Sequence, residues 1–302
     1  MRPRNLAVLG LLALIWGASY LLIKLALRDF SPPMVVFGRT ALASLCLIGL
    51  LVAREPGTLG RLVRDVRRRP GHAVLVGALS VALPFLLITV GELSVPSGLA
   101  AVLVASAPIF IAILAPMFDR REQATARQWF GLLVGLGGVG LLVGVDSVGS
   151  LAAVFGALAV LVASLSYAVS GFAIRATYPT FSPVAVSLVT IATSALMTLP
   201  AAVATFPERR PTLVAVLSIA LLGVVGTAFA FALYYRLMDD VGIGQSALVA
   251  YLIPPVSLAY GALILDEAIT PAVIGGMVLI LLGTALAARR RPARLVEQPS
   301  AA

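Results

Sequence analysis

The sequence predicts an all-α membrane protein with ten transmembrane helices arranged as two inverted five-helix repeats. Three observations predict it. Of the 302 residues, 60% are hydrophobic and 12% charged, with a mean hydropathy of +1.05, whereas a soluble domain carries about a quarter charged residues. Apolar runs of about 20 residues, the length that crosses a bilayer, recur along the chain. A stretch near the start also finds a counterpart roughly half a chain later.

Each element follows in order. The start, MRPRNLAVLGLLALIWGASY, has the basic head and apolar centre of a secretory signal. It lacks a small-x-small cleavage site and nine similar runs follow, so 5–27 is expected to remain as the first span. DFSPP ends it. The second span, 33–53, carries Arg39. The stretch 54–71, REPGTLGRLVRDVRRRPG, is too polar to cross and is expected to form a basic surface helix. The third span, 72–91, is broken by Pro84 and followed by Glu92. The fourth, 97–118, opens SGLAAVLVASAP and kinks at Pro108, and the fifth, 127–145, is rich in glycine. Spans 151–173, 182–204 and 212–235 follow, separated by YPTFSP and FPERRPT. The ninth, 243–264, contains GQSALVAYLIPP, and Thr270-Pro271 opens the tenth, 271–288, with proline at the first helical position. Residues 289–302 read as a disordered cytoplasmic tail.

Basic residues orient the chain. Seventeen of the 22 fall on the side of the N-terminus, four (Lys24, Arg28, Arg209, Arg210) on the other, and Arg39 lies within a span. This is the positive-inside pattern with both termini cytoplasmic. The net charge of +9 belongs to these flanks and not to a nucleic-acid footprint. Lys24 is the one lysine, a bias of GC-rich bacterial genomes, and the expected location is a bacterial inner membrane.

WGASYLLIKLALRDFSP (16–32) aligns with YAVSGFAIRATYPTFSP (167–183), identical at five of 17 positions. Trp16 meets Tyr167, Ser19 meets Ser170, and Lys24 meets Arg175. Farther on, Pro108 aligns with Pro254. REQAT (121–125) resembles DEAIT (266–270), and Gly131 and Gly138 then align with Gly276 and Gly283. The chain divides accordingly into 1–147 and 148–288. Five spans are an odd number, so the second copy enters the membrane from the opposite side. Inverted repeats are the usual architecture of secondary transporters, with the site near the midplane between halves. The order of Trp-Gly-x-Ser at Trp16, Arg39, and the pairs Pro108…Glu122 and Pro254…Glu267 before Gly-rich spans resembles the ten-span drug/metabolite transporter superfamily, EamA type. The resemblance implies two five-helix units around a central cavity, alternating access, and export or exchange of small metabolites, often amino acids. The expected function is a secondary transporter exporting amino acids or similar amphipathic solutes. A multidrug or cationic-compound exporter is the first alternative, and a non-transporting membrane enzyme or scaffold the second.

Candidate site residues are the polar and aromatic ones at depth. Trp16, Ser19 and Tyr20 share a helix face, and Trp16 is too far from either end for the interfacial aromatic belt. Their mates Tyr167 and Ser170, with Tyr234 and Tyr251, complete the expected substrate-binding set. Lys24, near its helix end, reads as a snorkelling cation. Arg39 lies about 9 Å along its helix at 1.5 Å per residue. An intramembrane arginine is costly and marks either a structural pair or a site for an anionic group. Its mate is Thr190, so the symmetry breaks there. Glu92 is a candidate coupling group or counter-ion. Glu122 and Glu267 each stand three residues before a threonine, Thr125 or Thr270, and read as helix-start signals. GLGGVG (135–140) matches the dinucleotide fingerprint without the strand that must precede it. Gly131, Gly135, Gly275 and Gly276 instead suit close helix packing. Cys46 and His72 are single, so neither a disulfide framework nor a Cys/His zinc site is expected. No catalytic residue, metal or cofactor is predicted, and without a P-loop an ATP-driven pump is unsupported. The expected partners are a small-molecule substrate and the lipid bilayer, without nucleic acid. The Gly-rich faces leave a homodimer open.

Overall fold

A computed structural model describes residues 1–118, 126–146 and 150–288. Glu122, Thr125 and the tail from 289 lie outside the described residues. Every regular element among the described residues is helical: α1 Pro3–Ala26, α2 Pro32–Arg54, α3 Thr58–Arg68, α4 Pro70–Gly91, α5 Ser97–Val104, α6 Ala107–Phe118, α7 Ala126–Asp146, α8 Leu151–Thr177, α9 Pro183–Ala204, α10 Leu213–Val241, α11 Ile243–Ser246, α12 Val249–Leu265 and α13 Pro271–Ala288. Seven stretches (α1, α2, α4, the α5–α6 pair as Ser97–Leu114, α8, α9 and α10) are long and apolar enough to cross a membrane. Shorter apolar helices cover Ala126–Leu142, Val249–Leu265 and Pro271–Ala287. Large apolar side chains such as Leu45, Leu196 and Leu263 point outward, where hydrocarbon and not water is the compatible solvent. The chain is a multi-pass membrane protein.

Helix starts follow from local chemistry. The hydroxyls of Ser31, Ser182 and Thr212 accept from the backbone N–H groups of Met34, Ala185 and Ala215, and Pro32 and Pro183 occupy first-turn positions that need no donor. The basic segment forms α3 as expected, with Leu62 turned inward and Arg61, Arg64, Arg67 and Arg68 exposed. The fourth expected span differs in breaking between α5 and α6, where the Ser106 hydroxyl bonds the Leu103 carbonyl. Two helices also contain π-helical turns, at Ala78–Ala82 in α4 and Val224–Phe229 in α10.

Among the contacts between the first and second parts of the chain, which include α1 with α12 and α4 with α8, are two antiparallel helix pairs tied along their length. In the first, α2 packs on α9. Ser31 at the start of α2 bonds Thr205 just past α9 (2.6 Å), while Ser182 at the start of α9 bonds Glu55 just past α2 (2.9 Å). In the second, α7 packs on α13 so closely that a Cβ on Gly131 would lie 2.7 Å from the Gly283 carbonyl oxygen. One on Gly138 would lie 2.8 Å from that of Gly276. Small residues at such contacts let backbones approach, as the sequence predicts for this glycine-rich region. Further ties mark the two ends of the bundle. Arg4 pairs with Asp240 at the end holding the N-terminus (2.7 Å). At the opposite end Asp29 accepts from the Thr212 backbone N–H (2.8 Å) and its hydroxyl, and Lys24 donates to the Glu92 carbonyl.

Candidate functional site

Between these ends lies a cavity of about 240 Å³. Helix α1 contributes Trp16, Ser19, Tyr20 and Ile23, which the 3.6-residue repeat places on one face. Arg39 comes from α2, and Ser80, Val81, Phe85 and Ile88 from α4. Tyr167 of α8, Gly226 and Phe231 of α10, and Ile253 of α12 close the ring. Both π-helical turns reach this lining, through Ser80 and Val81 on one side and Gly226 on the other.

Arg39 is the charged member of the lining and is 9% exposed. Its Nε donates to the Thr227 hydroxyl at 2.9 Å, and its guanidinium carbon lies 4.1 Å from the Phe85 ring centroid. A cation over an aromatic face is attracted by the ring quadrupole, more strongly where water is excluded. Thr227 in turn donates to the Leu222 carbonyl at 2.8 Å, a group that the wider π turn leaves available. The other π turn is treated alike: Ser166 of α8 donates to the Leu79 carbonyl at 2.8 Å. The terminal nitrogens of Arg39 make no hydrogen bond among the described residues. They are two unused donor groups of a fixed cation, suited to a bidentate anion.

The remaining wall is aromatic and apolar. Trp16 lies 6.1 Å from Phe231 and 5.3 Å from Tyr234, centroid to centroid, and Phe231 stacks on Tyr235 at 6.0 Å. One cation among aromatic faces can hold a molecule with an anionic head and an apolar body. The family model described as "EamA-like transporter family" matches this sequence twice, over residues 5–144 and 154–289. The chain belongs to the EamA-like transporter family. Membership of this family indicates a transporter role for the chain. It is similar to the "Uncharacterized inner membrane transporter YedA" of Escherichia coli K12, 27% identical over 83% of this chain and 79% of that one. It is also 27% identical to a protein of the same organism named "Probable amino-acid metabolite efflux pump", over 93% of each chain. A solved crystal structure superposes with a TM-score of 0.63, covering 95% of this chain and 97% of its own at 19% identity, which shows the fold alone.

Of the residues that the sequence nominates in this EamA-like chain, Trp16, Ser19, Tyr20, Arg39 and Tyr167 meet in the cavity. Tyr234 stands behind Trp16 and does not line it. Ser170 bonds back to the Tyr167 carbonyl at 2.8 Å, and Tyr251 faces elsewhere. Glu92 is fully buried one turn beyond Ile88 and forms no ion pair with Arg39 among the described residues. Lys24 does not line the cavity. Glu267 has a role beyond the helix start expected of it. Thr270 does accept from Val273 N–H at 3.2 Å, but the Glu267 carboxylate accepts from the Ser97 and Gly98 backbone N–H groups (2.8 and 3.2 Å) and the Ser97 hydroxyl (2.9 Å). It caps α5, a helix of the other half. Sequence reasoning missed Phe85, Ser80, Gly226, Phe231 and Thr227. Thr227 and Ser80 carried a signal, a hydroxyl among apolar residues in mid-span.

Proposed function

We propose that the chain is a secondary transporter of the bacterial inner membrane that exports amino acids or similar small amphipathic solutes by alternating access. In this reading ten helices cross the bilayer, both termini face the cytoplasm, and the halves 1–147 and 148–288 are inverted copies. The reciprocal contacts support the inversion. Gly131 and Gly138 meet the mates of each other, Gly283 and Gly276, as a two-fold axis in the membrane plane requires. Ser31 and Ser182, likewise mates, each reach the far end of the opposing helix.

The observation that carries the substrate reading is Arg39, anchored through Nε, with its terminal nitrogens unpartnered among the described residues beside the cavity. A carboxylate would sit on those nitrogens and an apolar side chain among Trp16, Tyr20, Phe85, Tyr167 and Phe231. Ser19 adds a hydroxyl. The name of the efflux-pump relative supports this class. A volume of about 240 Å³ is below the roughly 300–1,000 Å³ of drug-sized pockets, and a fixed cation repels cationic drugs. Both features count against the multidrug alternative.

The test is efflux from proteoliposomes against a panel of amino acids, with and without a pH gradient. Arg39→Ala is expected to reduce flux at least ~10-fold, in line with the loss of a charge-assisted hydrogen bond, and Trp16→Ala to raise KM. Unchanged flux in both variants, with normal folding, would sink the cavity reading.

A further inference from the structure

Glu92 is the buried ionisable group that the cavity leaves unexplained. It is 0% exposed, and among the described residues neither carboxylate oxygen has a hydrogen-bond partner. Its backbone N–H bonds to the Ile88 carbonyl, so it stands one helical turn beyond a cavity-lining residue, on the same face. It lies toward the end of the bundle opposite the N-terminus. The ionisable groups around it come from three elements: Lys24 and Tyr20 of α1, Arg39 of α2, and Glu267 after α12, each within electrostatic range. Helix α8 packs on the adjacent Gly91 through Gly156 and Val160, neither of which titrates. Lys24 spends a hydrogen bond on the backbone carbonyl of Glu92 and forms no ion pair with its carboxylate among the described residues. Glu267 is occupied in capping α5.

A buried carboxylate without partners is tolerated as the neutral acid and resisted as the anion. Opening this end would separate α1 from α4, admit water to Glu92 and let it ionise beside the Lys24 ammonium. We propose that Glu92 is a proton-binding site built into the gate opposite the N-terminus: the gate closes over a protonated Glu92, and opening releases that proton to the same side. The inference rests on the alternating-access reading and adds to it a regulated side and a ligand, the proton. The sign follows from linkage. The closed state binds the proton and the open state does not, so low pH on that side favours closure and rising pH favours opening. The proton returns to the side it came from, so the device sets gate occupancy without driving transport.

The test reads accessibility and not flux. With native Cys46 replaced by serine, a cysteine at the cavity position Ile23 is labelled by a membrane-impermeant maleimide in right-side-out and inside-out vesicles. The labelling rate is compared with the same protein carrying Glu92→Gln, a non-titrating stand-in for the protonated acid. That ratio cancels the thiol's own pH dependence. From the face opposite the N-terminus, the ratio of native Glu92 to Gln is expected to be near one at pH 5 and to rise at least about threefold by pH 8. A flat ratio overturns the proposal and leaves alternating access standing. Lys24→Met, which keeps Glu92, is expected to displace the rise to higher pH by removing the cation that favours the anion; an unmoved rise overturns the pairing with Lys24. Absence of labelling from both faces at every pH overturns alternating access, and the gate with it.

Discussion

Arg39 combines an anchored Nε with terminal nitrogens that engage no partner among the described residues, and this distinguishes it from any lysine at the same place. A lysine keeps the charge but has neither the guanidinium that lies over the Phe85 ring nor a donor for Thr227 independent of its charged tip. Arg39→Lys is therefore expected to lose at least ~10-fold in flux of an anionic solute, by weaker binding; a variant with native KM in proteoliposomes would show that the position needs charge alone. Thr227→Val tests the anchor. It removes the acceptor of Arg39 and the donor to Leu222 while keeping the side-chain shape, at an expected cost of about 1–3 kcal/mol, visible as a lower thermal midpoint in detergent. These residues also show what was legible. Trp16, Ser19, Tyr20 and Arg39 stand out because polar and aromatic groups at depth in an apolar helix are expensive and few. Ser170 does not line the cavity: a serine can satisfy itself on its own helix, as it does on Tyr167, and spacing does not tell that from facing a cavity. Phe85 and Phe231 carried no sign, since an apolar ring in a membrane helix suits lipid as well as a site.

At the scale of elements, the π turns in α4 and α10 were invisible in the sequence. Each inserts a residue's worth of slack that no propensity marks, and each redirects the face that follows it toward the cavity. The close pair α7–α13 was legible, because glycines repeated in two membrane helices have few other uses. A side chain added there meets backbone. A Cβ on Gly283 would lie 2.5 Å from the Gly131 carbonyl oxygen and 2.5 Å from the Gly135 nitrogen, whereas one on Gly137 meets nothing within 4 Å. Gly283→Val is expected to destabilise by about 1–3 kcal/mol or more, and Gly137→Ala to be neutral or to stabilise by up to ~1 kcal/mol through helix propensity. Thermal midpoints of the purified variants compare the two directly, and equal effects would contradict the packing described. The link between α1 and α10 offers a pH signature. The hydroxyl and backbone N–H of Thr212 donate to Asp29 and hold its carboxyl below the usual carboxylate range. A depressed folded value means that the contact is intact above the ordinary carboxylate pKa, about 4, and is lost as pH falls through the folded value. Asp29→Asn should thus lower the midpoint at pH 7, with the difference from the native protein shrinking below about pH 4.

On the alternating-access reading proposed above, the whole molecule separates into contacts that lock its two parts together and contacts able to open. The α2–α9 pair is tied at both of its ends at once, by Ser31 to Thr205 and by Ser182 to Glu55. The α7–α13 pair is in backbone contact at two levels. Elements fixed at both ends cannot gate either side, so in an alternating-access cycle they act as the fulcrum. The other end contacts are each confined to one face: Arg4 with Asp240 at the N-terminal end, and Lys24 with Glu92, Asp29 with Thr212 and Glu267 with Ser97 opposite. Rocking about the two fixed pairs requires only that one set break while the other holds, which agrees with the slow, rigid-body motions by which packed bundles change access. This division makes a prediction about covalent restraint. Cysteines at Ser31 and Thr205, in a background without Cys46, should form a disulfide that leaves flux within about twofold of the reduced protein, since a fulcrum does not slide during gating. The check is efflux from the same proteoliposomes before and after reductant. Arrest on oxidation and recovery on reduction would mean that α2 and α9 move past one another, and the fixed axis of the cycle would have to lie elsewhere.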